Sequence, residues 1–114
     1  MYAALRNKVQ LIGNLGNKPE IRTLEGGKKL AKFRLATNEV YKNAKGEKVK
    51  ETQWHNIIAW GKLADIAGKY LDKGSEVALE GKLIHNIFEK EGVKNYFTEV
   101  QASELLMLGE KQAK

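Results

Sequence analysis

The sequence predicts an all-β protein, a small barrel of five strands with one helix inserted between the third and the fourth. Three observations carry this: apolar and polar residues alternate over most of the chain, the period changes to 3.6 in a single segment, and tight-turn dipeptides separate the alternating runs. A chain of 114 residues with no Pro/Ser-rich linker and no repeat holds one core.

Asn7 to Gly13 reads as a strand with Val9 and Leu11 on one face. Gly13 to Pro19 is a Gly- and Asn-rich turn, and Glu20 to Leu24 resumes extended structure, so the first strand is long and bent. Gly26-Gly27 supplies the positive dihedrals of a tight hairpin. In the second strand, Leu30 to Asn38, Ala31, Phe33 and Leu35 face one way while Lys32 and Arg34 face the other. Glu39 to Glu51 is polar and lysine-rich around Gly46, a long hairpin loop. Thr52 to Trp60, with β-branched and aromatic residues, is the third strand. Between Gly61 and Gly74 the stripe Leu63, Ile66, Ala67, Tyr70, Leu71 predicts a helix that Gly74 ends. The fourth strand, Glu76 to His85, turns Val77, Leu79, Gly81 and Leu83 inward and Glu80 and Lys82 outward. A turn at Glu91-Gly92 leads to the last, Asn95 to Ala102. This order is that of the OB-fold, an antiparallel Greek-key barrel that often binds oligonucleotides or oligosaccharides. The barrel is expected over residues 1–104, with 105–114 as a short C-terminal extension.

Charge narrows the choice of ligand. The chain carries 20 Lys and Arg against 14 Asp and Glu. Lys28 to Lys62 holds nine basic residues against three acidic ones, which accounts for the whole net charge of +6. Such a segment is either a solvated lysine-rich loop or a surface for a polyanion, and the aromatic residues bear on which. Trp54 and Trp60 are an even number of residues apart on one strand, so their rings share a face at roughly 20 Å spacing. Asn56 and Ile58 share that face, and His55, Ile57 and Ala59 occupy the other. Tyr41 and Phe88 lie in stretches too polar to be core. Rings interleaved with cations are what single-stranded nucleic acid requires: bases stack on the rings without their sequence being read, and lysines neutralise phosphates and release counterions. Core burial of the rings is the competing expectation. Lys32, Arg34, Lys42, Lys48 and Lys50 are the phosphate candidates of the basic segment.

Enzymatic chemistry finds no support. Without cysteine there is no disulfide, thiolate nucleophile or thiolate zinc site. The only histidines, His55 and His85, have no carboxylate pair or ligand set beside them, and Asp65 and Asp72 sit among Lys69 and Lys73 as solvated helix charges. The Gly13 to Gly16 turn lacks the Gly-Lys-Ser/Thr of a phosphate-binding loop. The expectation is a non-enzyme with no metal and no cofactor. No run approaches the roughly 20 apolar residues of a membrane span, and Met1 to Lys8 has no signal-peptide pattern. A cytoplasmic, nucleoid-associated protein is expected.

Taken in order, Asn7-Lys8-Val9, Leu11 to Gly16, Pro19 to Arg22, Leu35 to Asn38, Trp54-His55, Gly61 to Ala64, Tyr70 to Ser75 and Glu80-Gly81 closely resemble the bacterial-type single-stranded DNA-binding protein family. The resemblance runs from Asn7 to about Ala102. It implies a homotetramer that wraps single-stranded DNA around its outside during replication, recombination and repair. The family's stacking positions fall on Tyr41, Trp54, Trp60 and Phe88, and a subunit-contact position on His55. Lys8, Lys62 and Lys73 resemble phosphate contacts. Family members usually end in an acidic tip that recruits other proteins; Leu105 to Lys114 has none, so recruitment by that route is not expected. An OB-fold RNA chaperone is the alternative reading.

Overall fold

The computed structural model describes residues 5–108. Six strands, β1 (Val9–Leu15), β2 (Glu20–Thr23), β3 (Lys29–Lys42), β4 (Lys48–Trp60), β5 (Glu76–Lys90) and β6 (Val93–Met107), and one helix, α1 (Lys62–Tyr70), follow one another along the chain. They are ordered β1-β5-β6-β4-β3-β2, and β1 also pairs with β3. That extra pairing, at Asn14↔Ala36 and Leu15↔Leu35, closes five strands into the expected OB-fold barrel, while β2 hangs on β3 as a short hairpin. The antiparallel expectation needs one amendment. Between β4 and β6 the closing contact is parallel, at Ile57↔Val100 and Ile58↔Gln101.

Alternation fills the interior: Ala31, Phe33 and Leu35 of β3, Ile57 and Ala59 of β4, Val77 and Leu79 of β5 and Val100 and Ala102 of β6 are buried together. Barrel closure brings β1 very close to β3. A methyl group at Gly13 would run into the carbonyl oxygen of Ala36, so only glycine lets one strand pair with both neighbours there.

The helix is shorter than its sequence pattern. It stops at Tyr70 because Leu71 turns extended, with φ −102° and ψ 148°, and drops its side chain into the core beside Ala64 and Ala67. Tyr70, expected on the apolar stripe, is exposed instead. Gly74 belongs to the following turn, where the Ser75 hydroxyl accepts a bond from the Asp72 amide at 2.9 Å.

Residues 39–51 differ most from expectation. Instead of a long loop they form a two-stranded arm, the β3–β4 ladder running without interruption to Lys42↔Lys48. The turn at its tip is closed by Asn43, whose side-chain oxygen accepts from the amides of Lys45 at 2.9 Å and Glu47 at 3.0 Å. Beyond the barrel neither face of the ribbon is buried, so its sequence carries no apolar alternation to read. The β5–β6 hairpin is a second such arm, paired out to Lys90↔Val93 around the Glu91-Gly92 turn. β6 also runs past the expected boundary at 104, and Leu105 packs against the core. Of the C-terminal extension, residues 109–114 lie outside the described residues.

Candidate nucleic-acid interface

Residues directly opposite one another in a ladder project from the same side of a sheet. On the outer side of β3 and β4 the register aligns Leu30 with Trp60, Lys32 with Ile58, Arg34 with Asn56, Ala36 with Trp54, Val40 with Lys50 and Lys42 with Lys48. The same side continues through Phe97, Glu99 and Gln101 of β6 to Lys82, Ile84, Asn86 and Phe88 of β5. Trp54, Trp60 and Phe88 therefore stand on the same side of the sheet as Arg34, Lys42, Lys48 and Lys50.

Trp54 is 50% exposed. It is held from behind, since any side chain at Gly16 would strike its ring. The loop carrying Gly16 is pinned to β3 twice: the Gly16 amide donates to the Arg34 carbonyl at 2.8 Å, and the Arg34 amide donates to the Asn17 side chain at 3.0 Å. The Arg34 guanidinium lies over the indole, 4.4 Å from the ring centroid. Trp60, half-buried, has the Lys28 ammonium 5.8 Å from its centroid. Cations over rings are attracted by the π-face quadrupole, so each indole carries a positive charge close to its ring. Phe88 is 51% exposed on the β5–β6 arm.

Not every expected residue gathers there. Tyr41, opposite Val49, alternates to the reverse side of the β3–β4 arm, in the company of Glu39 and Glu51, which face each other. Its ring is exposed there. Lys32 is on the Trp54 side, but its ammonium is 3.7 Å from the Glu99 carboxylate. Lys62 opens α1 and Lys73 follows it in a loop, both exposed at the ends of the helix. His55 lies on the inner side, half-buried, its Nε2 3.0 Å from the Thr37 hydroxyl. Lys28, Phe97 and Glu99 join the interface without having been anticipated. Phe97 and Glu99 alternate with Thr98 and Val100, so the pattern of the last strand contained them, but nothing in it said which side would face outward.

Lys8 belongs elsewhere, on a second surface. It bonds Glu80 at 2.8 Å, and this hydrogen bond holds the Glu80 carboxyl below the ordinary carboxylate range. Glu80 lies in a row with Gln10 and Glu104 across the outer side of β1, β5 and β6, and the next row is Ile12, Ala78 and Leu106. Ile12 and Leu106 are both largely exposed. Among the described residues no cluster of His, Asp and Glu could hold a metal, and no helix is long and apolar enough to cross a membrane.

Residues 6–108 match the single-strand binding protein family. The chain is 46% identical over 109 residues to single-stranded DNA-binding protein 1 of Chlorobaculum tepidum, covering 94% of itself and 67% of that relative. It is 44% identical over 108 residues to single-stranded DNA-binding protein 1 of Xylella fastidiosa, covering 93% of itself and 79% of that protein. Among solved structures, the Plasmodium falciparum SSB in complex with ssDNA superposes with a TM-score of 0.84 at 35% identity, covering 90% of this chain and 95% of that one. A deletion mutant of the single-stranded DNA-binding protein from Thermus aquaticus gives 0.81 at 29% identity over 90% of this chain and 50% of that one.

Proposed function

The chain belongs to the single-strand binding protein family, and on that premise we propose that it coats single-stranded DNA exposed in replication, recombination and repair, without catalysis, as a homotetramer. One observation carries the assignment of the surface: Trp54, Trp60 and Phe88 share a side of the sheet with Arg34, Lys42, Lys48 and Lys50. Bases stack on the rings while the cations neutralise the phosphates between them, which gives affinity with little preference among bases. Tyr41 stacks from the reverse of the β3–β4 arm. Lys62 and Lys73 extend the positive path beyond the main surface, whereas Lys8, paired with Glu80 on the second surface, does not join it.

The copies meet through the second surface. Ile12, Ala78 and Leu106 make an apolar row on a sheet face that nothing in the chain covers among the described residues, and covering it with another copy removes it from water. His55 serves at a contact between copies. The compartment that accompanies this reading is the one holding the DNA, the cytoplasm and its nucleoid.

Titration with poly(dT) tests the proposal. Tryptophan fluorescence is expected to be quenched as thymines stack on the indoles, with light scattering giving a tetramer mass on the same sample. Binding without any quenching would remove Trp54 and Trp60 from the interface.

A further inference from the structure

Among the described residues, Glu99 is the one charged side chain that is buried, 6% exposed, and it lies in the middle of the surface assigned to DNA. A carboxylate is a costly thing to bury, and it opposes the binding of phosphate. Its two oxygens are accounted for: Oε1 accepts from the Asn86 side chain at 3.0 Å, and Oε2 is 3.7 Å from the Lys32 ammonium. Lys32 belongs to β3, Glu99 to β6, and β4 runs between them. Register sets Ile58 of β4 opposite both Lys32 and Gln101, and Glu99 lies two residues before Gln101 on the same side, so the lysine reaches diagonally across β4 to the carboxylate. Ile58, between them in the register, is only 7% exposed although it alternates to the outer side. The residues lining the groove at this place include Glu20, Lys32, Arg34, Asn56, Phe97 and Glu99; Glu20 stands opposite Lys32 in the β2–β3 ladder, but the ion pair Lys32 makes among the described residues is with Glu99.

We propose that Glu99 is a positioning residue that withholds Lys32 from the phosphate backbone, leaving a neutral spot inside a basic surface and thereby moderating affinity for single-stranded DNA. An ammonium already paired with a buried carboxylate neutralises no phosphate, so it releases none of the counterions condensed on the strand and adds nothing to the salt slope. Among the described residues Arg34, Lys42, Lys48 and Lys50 have no such partner within ion-pair distance, and they carry the salt-sensitive part of binding. The inference rests on the single-stranded DNA reading above.

The test is a double-mutant cycle in the salt dependence of poly(dT) binding by the full chain. Glu99→Gln keeps the acceptor for Asn86 and frees Lys32. It is expected to steepen the slope of log affinity against log salt by about 0.7, the value for one more phosphate contacted on a single strand, and so to tighten binding about fivefold at 0.1 M salt relative to 1 M. Lys32→Gln should flatten the slope by about 0.7 in the Glu99→Gln background and by less than half of that in the wild-type background. Glu99→Asp, which keeps the charge, should retain the wild-type slope and supplies the comparison should Glu99→Gln fold poorly. Equal flattening by Lys32→Gln in both backgrounds, or a Glu99→Asp slope as steep as that expected for Glu99→Gln, overturns the inference while leaving the DNA-binding reading intact. Absence of poly(dT) binding by the wild type overturns both.

Discussion

The outer side of β3-β4-β6-β5 and the outer side of β1-β5-β6 are parts of one closed sheet, and both expose large apolar groups. Their chemistry separates them. On the first, the exposed apolar groups are mainly rings, Trp54, Trp60 and Phe88, with Val40 the aliphatic exception; Arg34 lies over one indole and Lys28 near the other. On the second they are aliphatic, Ile12 and Leu106, bordered by the carboxylates of Glu80 and Glu104. Rings present a π-face that a base can stack on, and a polyanion needs cations beside them; aliphatic groups bordered by acids repel the polyanion and suit a protein surface instead. Exposed hydrophobic area taken alone would have grouped two surfaces whose neighbouring charges assign them to different partners.

The largest effect expected on this contrast is from Leu106→Lys. An ammonium placed in the apolar row costs on the order of several kcal/mol if it is buried unpaired, and light scattering should show the mass falling below that of a tetramer. DNA affinity per protomer should fall much less, and a variant that stays tetrameric would detach this surface from assembly. Trp54→Ala comes next. It should weaken poly(dT) binding by about 1–3 kcal/mol with the tetramer mass unchanged, and unaltered affinity in a fluorescence-independent assay such as filter binding would count against Trp54. Lys42→Gln and Lys48→Gln should each reduce the salt slope by about 0.7, with little change in stability for charges so exposed.

The smallest effect concerns the acidic border. Hydrogen bonding by Lys8 lowers the folded-state pKa of Glu80, so its contribution to stability is present at neutral pH and disappears as pH falls through that lowered value. Glu80→Gln should consequently be slightly less stable than wild type at pH 7 and converge with it in acid, as followed by thermal melts across pH. A difference that grows toward acid would reverse the assigned sign. Exposure of the pair keeps the effect small.

Much of this contrast was legible in the residues. Even spacing assigned Trp54 and Trp60 to a common side, and Ile57 and Ala59 to the interior, because strand alternation is a local property of the backbone. The Gly26-Gly27 and Glu91-Gly92 turns were equally local, as positive backbone dihedrals at those positions require. The arm at 39–51 was not legible, because a ribbon wet on both faces has no reason to alternate, and its strand character comes from a backbone ladder that side-chain pattern does not report. Tyr41 was chosen for its polar surroundings, and only the extended ladder revealed that it alternates away from Trp54. The helix pattern overran by Leu71 because an apolar residue can meet the core from a helix or from the extended segment after it.

By itself the sequence determined the alternation, the turns, the concentration of positive charge in one segment and the presence of exposed rings, since each depends on residues near one another in the chain. Tertiary structure decided which strands become neighbours and hence which side chains share a surface. Barrel closure brings Phe88 and Phe97 round to the side of Trp54, sets Glu99 within reach of Lys32, and leaves Ile12 beside Ala78 and Leu106. Those juxtapositions join positions far apart in the chain through hydrogen-bonded ladders whose register is selected by burying one common core, and no local pattern contains that choice.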